Sequence, residues 1–439
     1  MYWSRKILSR RNFVKLLSFV VVGGTGVYAF VPNVRNLTGQ LFNSTKAIAG
    51  HYLPIGNMDA LYVRQLITTD STTSRTIMWQ SELSEAQTVV EYRLREAEKI
   101  NSIMANEEKF TDYKVTTYLH SATLNELTPE KSYEYRVGYD NKRSDWKPLK
   151  TAGPGKFKAL IFPDSQSNDY NDWKKVAQAA RNNHKDADFF INMGDLVDNG
   201  EDLVQWKAWF NSLEGVIDEI PGALVLGNHE TYNMDWKVRM PEAYLKLFSL
   251  PANGNATFQN QYYSFDYGDV HFVVLNTQID EMSDFQPEVL NAQLAWLEQD
   301  MANTQKTWKI VLMHKDVLTY EIKNRTNRTA GVSEIGKIFM PLFDKYNIDV
   351  VLTAHLHTYR RRGHIYNFKP AKQGPLYIVT GVAGNVRYAN FWIDHPWDEF
   401  VAPQPETNNY LTLEATSQFL RIETFLPSGE KIDNVELNK

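Results

Sequence analysis

The chain has 439 residues, a formal net charge of −5, and 43% hydrophobic and 13% aromatic residues. That length is more than one hydrophobic core ordinarily serves, so two domains are expected. The acidic balance argues against wholesale nucleic-acid binding. With no cysteine in the chain, neither a disulfide framework nor a thiolate metal site is available.

Residues 1–30 carry Arg5, Lys6, Arg10, Arg11 and Lys15 and no acid, so the remainder of the chain is more acidic still. Paired arginines ahead of the moderately apolar run at 16–30 read as a twin-arginine export signal. The alternative is a single membrane anchor, but the run is short for a stable span and is interrupted by Gly23, Gly24 and Gly26. Cleavage after small residues near Ala29 or Ala49 and retention as a membrane tether both stay open. Such a signal implies a bacterial protein exported to the periplasm, the outer face of the membrane or the medium. Residues 31–57 read as a polar linker.

From 58 to 151 the pattern is short alternating strands at 62–66, 75–79, 89–93 and 116–124, then the turn Leu127-Thr128-Pro129 opening a strand on which Tyr133 and Tyr135 alternate. Short strands separated by turns predict a β-sandwich. Gly153-Pro154-Gly155 marks a boundary. Beyond it, over 157–439, strands alternate with helices expected at 172–183, 202–213, 290–301 and 334–346. Further strands are expected at 262–267, 270–276, 376–382, 418–426 and 431–437. Two sheets flanked by helices, a four-layer αββα arrangement of the α/β class, is the architecture this predicts.

Five apolar runs in that region break into a polar cluster. The run 160–163 meets Asp164-Ser165-Gln166, and 189–193 meets Gly194-Asp195. The run 223–226 meets Gly227-Asn228-His229-Glu230, 310–313 meets His314, and 349–353 meets Ala354-His355-Leu356-His357. Buried strands ending this way place their polar residues at the carboxyl edge of a parallel sheet, where open α/β sheets put their sites. Glycine at the break lets the backbone come close to a ligand. Oxygen and imidazole donors without sulfur suit hard or borderline metals such as Mn, Fe, Zn or Ni.

Five clusters in this order resemble the calcineurin-like metallophosphoesterases. The preceding sandwich resembles a fibronectin type III-like module with Trp79 as its core plug. Together with Tyr359-Arg360 after His357, it brings the resemblance closest to the purple acid phosphatase branch, from about residue 60 to the end. The resemblance implies a centre of two divalent or trivalent metal ions (Fe, Mn or Zn). Asp164 and His357 would bind the first, Asn228, His314 and His355 the second, and Asp195 would bridge both. The metals would acidify a shared water into the nucleophile and clamp the phosphate. His229 would assist the leaving group, with Glu230 orienting it, and the phosphoryl group would pass to water without a covalent intermediate.

Two positions depart from the family pattern. Gln166 stands where many relatives have His, and it either offers an amide oxygen to the first metal or is a hydrogen-bonding residue only. Asp198 stands where purple acid phosphatases have their Tyr ligand. Ala354 replaces a Gly and leaves both histidines in place.

Other candidates read as structural: His120 in a sandwich strand, His184 at a helix end, His271 at a strand start, and His364 and His395 in loops. The basic run Arg360-Arg361-Arg362 is either a solvated face or an anion-steering one, and residues 323–328 form a basic loop that faces substrate. Specificity is expected in the loops 231–235, 252–261, 321–333 and 384–406.

The function expected is hydrolysis of a small phosphate ester, with monoester ahead of diester. The rival is a catalytically weak exported binding module on the same scaffold. Retention of Asp164, Asp195, Asn228, His229, His314, His355 and His357 together favours the enzyme. With Asp198 in the Tyr position, the iron-loaded protein is expected to lack the tyrosinate-to-iron band. A visible absorption spectrum of the loaded protein checks this, and a purple colour would overturn it.

Overall fold

A computed structural model describes residues 60–439 apart from 86, 140–141 and 326–327; the export-signal and linker readings for residues 1–57 lie outside the described residues. The N-terminal part is an all-β sandwich. One sheet runs in the order Asn101–Met104, Val89–Leu94, Ser132–Tyr139, with Lys142–Arg143 and Lys147–Lys150 also paired to the last. The other is built from Leu61–Leu66, Arg75–Ser81, Val115–Leu124 and Asn106–Asp112. Successive side chains on a strand point to opposite faces, so Tyr133, Tyr135 and Val137 turn inward together and meet Ile77, Trp79 and Leu124 in the core. Trp79 stacks on His120 at 5.0 Å. His120 is buried and lies 2.8 Å from Ser81 Oγ, so it packs the core.

The boundary near Gly153 divides the chain but not the sheet. Leu66 pairs in parallel with Gly222, flanked by bonds from Gln65 N to Ile217 O at 2.8 Å and from Ile67 N to Gly222 O at 3.1 Å. The result is a 10-stranded sheet in the order Lys431–Asn438, Phe419–Phe425, Tyr410–Ala415, Phe157–Phe162, Phe189–Asn192, Gly222–Leu224, Leu61–Leu66, Arg75–Ser81, Val115–Leu124, Asn106–Asp112. Leu66, Met78, Phe110 and Leu119 therefore join the core of the C-terminal region. The sandwich keeps its own core, and its second sheet also packs into the C-terminal one. Tyr135 strengthens the seam by donating its hydroxyl to Asp218 O at 2.9 Å.

The second sheet of the C-terminal region runs Tyr263–Tyr267, Val270–Leu275, Trp308–Met313, Val350–Thr353, Leu376–Thr380, Tyr359–Tyr366, and Lys369–Pro370, with Asp398–Val401 beside Tyr359–Tyr366. Phe189 of the first sheet meets Phe272 of the second at 5.7 Å, and Phe157 meets Phe272 at 6.1 Å. Helix Asn171–Asn183 covers the first sheet through Trp173, which sits edge-on to Phe162 at 5.1 Å. Helices Val289–Asn303 and Glu334–Lys345 bury Leu297, Met301, Phe339 and Phe343 against Val311, Val351 and Tyr377 of the second. Ser333 starts the last helix by accepting from Gly336 N at 3.0 Å, and Asp202 starts Leu203–Ser212 by accepting from Val204 N.

Parallel register sets the strand ends flush: Phe162 is opposite Asn192, and Asn192 opposite Leu224. Leu275 is likewise opposite Met313, and Leu312 opposite Leu352. Element bounds differ from the sequence reading by a residue or two. The strands Asn101–Met104, Asn106–Asp112, Lys147–Lys150, Tyr359–Tyr366 and Tyr410–Ala415 are absent from the sequence reading; in the second a run of Asn, Glu and Lys hides any alternation, and the fourth places His364 on a strand, not in a loop.

The basic run 360–362 is neither solvated nor anion-steering. Arg360 and Arg362 point to one side of their strand and are buried. Arg360 binds Asp394 at 2.8 Å and Asp398 at 2.7 Å. Arg362 is paired with Asp316, and its Nε donates to Tyr320 Oη at 2.9 Å. Arg361, on the other side, binds Asp433 at 2.8 Å and Glu399 at 2.9 Å. The pairing satisfies charges that could not otherwise be buried.

His271 sits between Asp266 Oδ1 at 2.7 Å and Asp300 Oδ2 at 2.8 Å, so both ring nitrogens donate. Burial pulls its pKa down, but the two carboxylates raise it to about 9. A raised folded-state value gives stability that is full below the unfolded value near 6.5 and is lost as pH climbs through about 9. Urea unfolding should therefore show roughly 2–3 kcal/mol lost over that window. His271→Gln should flatten this slope, and an unchanged slope in the variant would refute the assignment.

Candidate metal centre

All five strand-end clusters converge, and the loops that carry them are tied to one another. Asp195 O accepts from Ser165 N at 3.1 Å and Gln166 N at 2.9 Å. Ser165 Oγ accepts from Trp209 Nε1 at 3.0 Å and Asn192 Nδ2 at 3.1 Å. Asp164 O accepts from Ala383 N and Gly384 N, at 2.8 and 3.0 Å. Asp195, His355 and His357 all have left-handed backbones, with φ of 47°, 68° and 52°. That conformation is uncommon outside glycine and clusters at functional sites. A Cβ on Gly227 would come within 2.2 Å of Asp195 N and Oδ1, so the second loop packs this closely only because it lacks one.

Glu230 does not orient His229. Its buried carboxylate accepts from Leu196 N at 2.8 Å, Asp195 N at 3.1 Å and Gly227 N at 2.8 Å, clamping the Gly-Asp and Gly-Asn-His loops together. Burial, then the nearby Asp195, raises its pKa to about 7. The His229 ring is held instead by Asp198: its Nδ1 lies 2.7 Å from Asp198 O and 3.5 Å from the carboxylate oxygen Oδ1.

The tautomers follow from these contacts. His314 Nδ1 lies 3.0 Å from Met193 O and donates to it; burial lowers the ring's pKa, but Asp195 and then Asp164 raise it to about 9, so Nε2 carries a proton that a bound cation would displace. Around that Nε2 stand Asn228 Oδ1 at 3.2 Å, Asp195 Oδ2 at 3.2 Å and His355 Nδ1 at 3.3 Å. His357 Nδ1 donates to Val386 O at 2.6 Å. Its Nε2 lone pair then faces Asp164 Oδ2 at 3.5 Å and the Gln166 amide at 3.2 Å. Both Asp164 oxygens and Gln166 Oε1 are buried without a hydrogen-bond partner. Acceptors brought together in a buried space are unfavourable unless a cation sits among them. The donor set fits that cation, and two of them: Asp195, His314 and His355 form one group, and Asp164, Asp195 and His357 another, with the ligand atoms of each within 4.8 Å of one another.

Burial raises Asp195, but His314 and then His229 outweigh it and hold the carboxyl well below its usual range. Asp164 is pushed well above that range by burial, against the pull of His314. Burial first, then the neighbouring charges, lowers His355 to about 3 and His357 to about 4, so both rings are neutral donors near neutral pH. Every residue named as a ligand from sequence thus lies in this cluster. The rings of His184, His364 and His395 lie outside it, bonded respectively to Tyr410 Oη, Gly374 O and Trp397 N.

Several contributors could not be read from sequence. Val386 fixes His357 through a carbonyl, and Tyr388 stacks on the His357 ring at 4.7 Å. Trp392 donates to Leu356 O at 2.8 Å, between the paired histidines. All three belong to the loop 384–406, and only their register against the second sheet brings them here. In the basic loop, Arg325 and Arg328 lie over Phe391 and Trp392, at 5.7 and 5.3 Å, so this loop braces the segment above His357.

The family model for calcineurin-like phosphoesterases matches residues 157–359. The model for the purple acid phosphatase N-terminal domain matches residues 62–151, so the chain carries the domain pairing of the purple acid phosphatases. That family implies a binuclear metal centre, for which the two carboxylate–histidine groups are the candidate ligands. Purple acid phosphatase 23 of Arabidopsis thaliana is 28% identical over 185 residues, 42% of this chain and 38% of that protein. Acid phosphatase type 7 of Homo sapiens is 25% identical over 294 residues, 61% of this chain and 64% of that one. The chain thus spans less than two thirds of these relatives' length. The purple acid phosphatase PPD1 from yellow lupin (Lupinus luteus) seeds shares the fold, with TM-score 0.73 and 20% identity over 88% of this chain and 75% of that one.

Replacing Glu230 by Ala would leave the clamped amides buried and unpaired. A loss of roughly 3 kcal/mol in unfolding free energy is expected, measured by urea titration. A variant as stable as the parent would refute the clamp.

Proposed function

We propose that the protein is an exported, metal-dependent phosphoesterase that hydrolyses small phosphate esters, monoesters first. The observation that carries this is the pair of ligand groups sharing Asp195, with the His229 ring beside them. Asp164, His357 and Gln166 would hold one metal, Asn228, His314 and His355 the other, and Asp195 both; Fe, Mn and Zn all suit these donors. When bound, such a pair supplies Lewis acidity and an activated water for in-line attack at phosphorus.

The chain's own groups do the rest. Asp195 is ionised, and its Oδ1 accepts from His229 N at 2.9 Å, setting the position of the next catalytic group. His229 donates through Nδ1 to Asp198 O, so its Nε2, 4.0 Å from Asp195 Oδ2, faces the reacting atoms. A proton carried on Nε2 passes to the leaving oxygen as the P–O bond breaks. The Asp198 carboxylate stabilises the charged ring until then. Asp198, in the position of the family's tyrosine, is in this reading the partner of His229. Export is supported by the Arg10-Arg11 pattern.

Elemental analysis of the purified protein should find about two metal equivalents per chain. Asp195→Asn should lose metal and turnover together while keeping the native circular dichroism spectrum. His229→Ala should keep both metals and lose roughly 10²–10⁴-fold in turnover. Persistent activity in the first variant, or lost metal in the second, would overturn the roles assigned.

A further inference from the structure

The ring of His229 is not bare on its outer side. Tyr232 meets it edge-on at 5.5 Å and Trp236 at 5.9 Å, and these two rings lie 6.0 Å apart. Trp236 is 57% exposed, the one tryptophan among the exposed large hydrophobics of the described residues, and Met234 and Val238 beside it are each 39% exposed. Trp79, Trp173, Trp206, Trp209 and Trp308 are fully buried, and the other exposed large aromatics, Tyr113, Phe285, Tyr366 and Tyr388, are each less exposed than Trp236.

The loop that carries the indole is braced. Trp236 has φ of 60°, a conformation that a bulky residue keeps only when its surroundings enforce it. Its backbone N–H donates to Asn233 O at 2.9 Å. Asn233 Oδ1 accepts from Asp235 N at 3.0 Å and Lys237 N at 2.8 Å. Glu201 accepts from Met234 N at 2.7 Å and pairs with Arg239 at 2.9 Å, and Arg239 also binds Asp112 of the sandwich at 2.8 Å. A braced, strained loop therefore presents an apolar plane to solvent, against the residue that meets the leaving oxygen.

We infer that Trp236, backed by Tyr232, is a stacking platform for the leaving group, and that the preferred substrates are phosphate esters whose leaving group carries a planar aromatic ring. This rests on the phosphoesterase reading. The phosphate would occupy the ligand cluster. Whatever is attached through the ester oxygen must emerge past His229, where the exposed indole lies 5.9 Å from the imidazole. Stacking on a fixed aromatic face is favourable for any planar ring. Preorganisation of the loop spares the entropy of ordering it.

The test compares benzyl phosphate with cyclohexylmethyl phosphate, whose leaving groups are both primary alcohols of similar size and differ in planarity. The metal-loaded protein should prefer the benzyl ester about tenfold in kcat/KM, mostly through KM. Trp236→Ala should remove most of that preference, and Trp236→Phe should keep most of it. No preference in the parent, a preference for the saturated ring, or a preference that survives Trp236→Ala would each overturn the inference. Turnover of neither ester would mean that the phosphoesterase reading itself fails, and the inference with it.

Discussion

The constraint on which the rest depends is electrostatic: side chains from five strand ends bring acceptor atoms together in a space too buried for water to satisfy them. His314 Nε2 stands among oxygens of Asn228 and Asp195 and a nitrogen of His355. Its proton answers Asp195, but the Asp164 oxygens and Gln166 Oε1 have no such partner, so the surrounding fold must hold the cluster. Glu230 draws the backbone of two loops onto its carboxylate, and Met193 and Val386 fix two imidazoles through their carbonyls. Asp195, His355 and His357, all with left-handed backbones, are themselves members of the two ligand groups. Cations satisfy these acceptors, which is why the ligands and the supports behind them make sense only together.

Much of this was legible in the sequence because each cluster follows an apolar run. A short buried strand that stops at Gly194-Asp195 or Gly227-Asn228 can only end at the edge of a sheet, and parallel register then does the gathering. The identities Asp, Asn and His indicated the chemistry. What stayed hidden came through the backbone or from afar. Val386 acts by its carbonyl, which any residue would supply. Asp198, in the position where a tyrosine is usual, gives its own carbonyl to His229. Glu230 was placed beside His229 on sequence proximity, but in the 3-10 turn His229–Thr231 adjacent side chains diverge and its carboxylate meets amides instead. The arginines at 360–362 looked exposed because charge usually is; their partners Asp316, Asp394, Asp398 and Asp433 lie 34 to 72 residues away.

Two structural systems thus support one site from opposite sides. Near the first sheet, Trp173, Trp206 and Trp209 pack the helices behind the Asp164 and Asp195 loops. Near the second, buried Arg360 and Arg362 bind the acids that hold the segment carrying Trp392 and Tyr388 over His357. The first is apolar and takes its stability from buried area. The second is ionic and depends on every member being present. Substitutions in the two should therefore differ in character, graded in one and abrupt in the other.

The continuity of the large sheet from Asn106–Asp112 to Lys431–Asn438 bears on how such a protein can be recombined. A domain joined by a linker can be exchanged as a bead on a string, but this sandwich shares strand pairing and core residues with its neighbour. A chimaera grafting another N-terminal domain would have to reproduce the twist of Leu61–Leu66 against Gly222–Leu224 and the inward faces of Met78, Phe110 and Leu119. A mismatched partner would leave the Gly222–Leu224 edge of the site-bearing sheet unpaired.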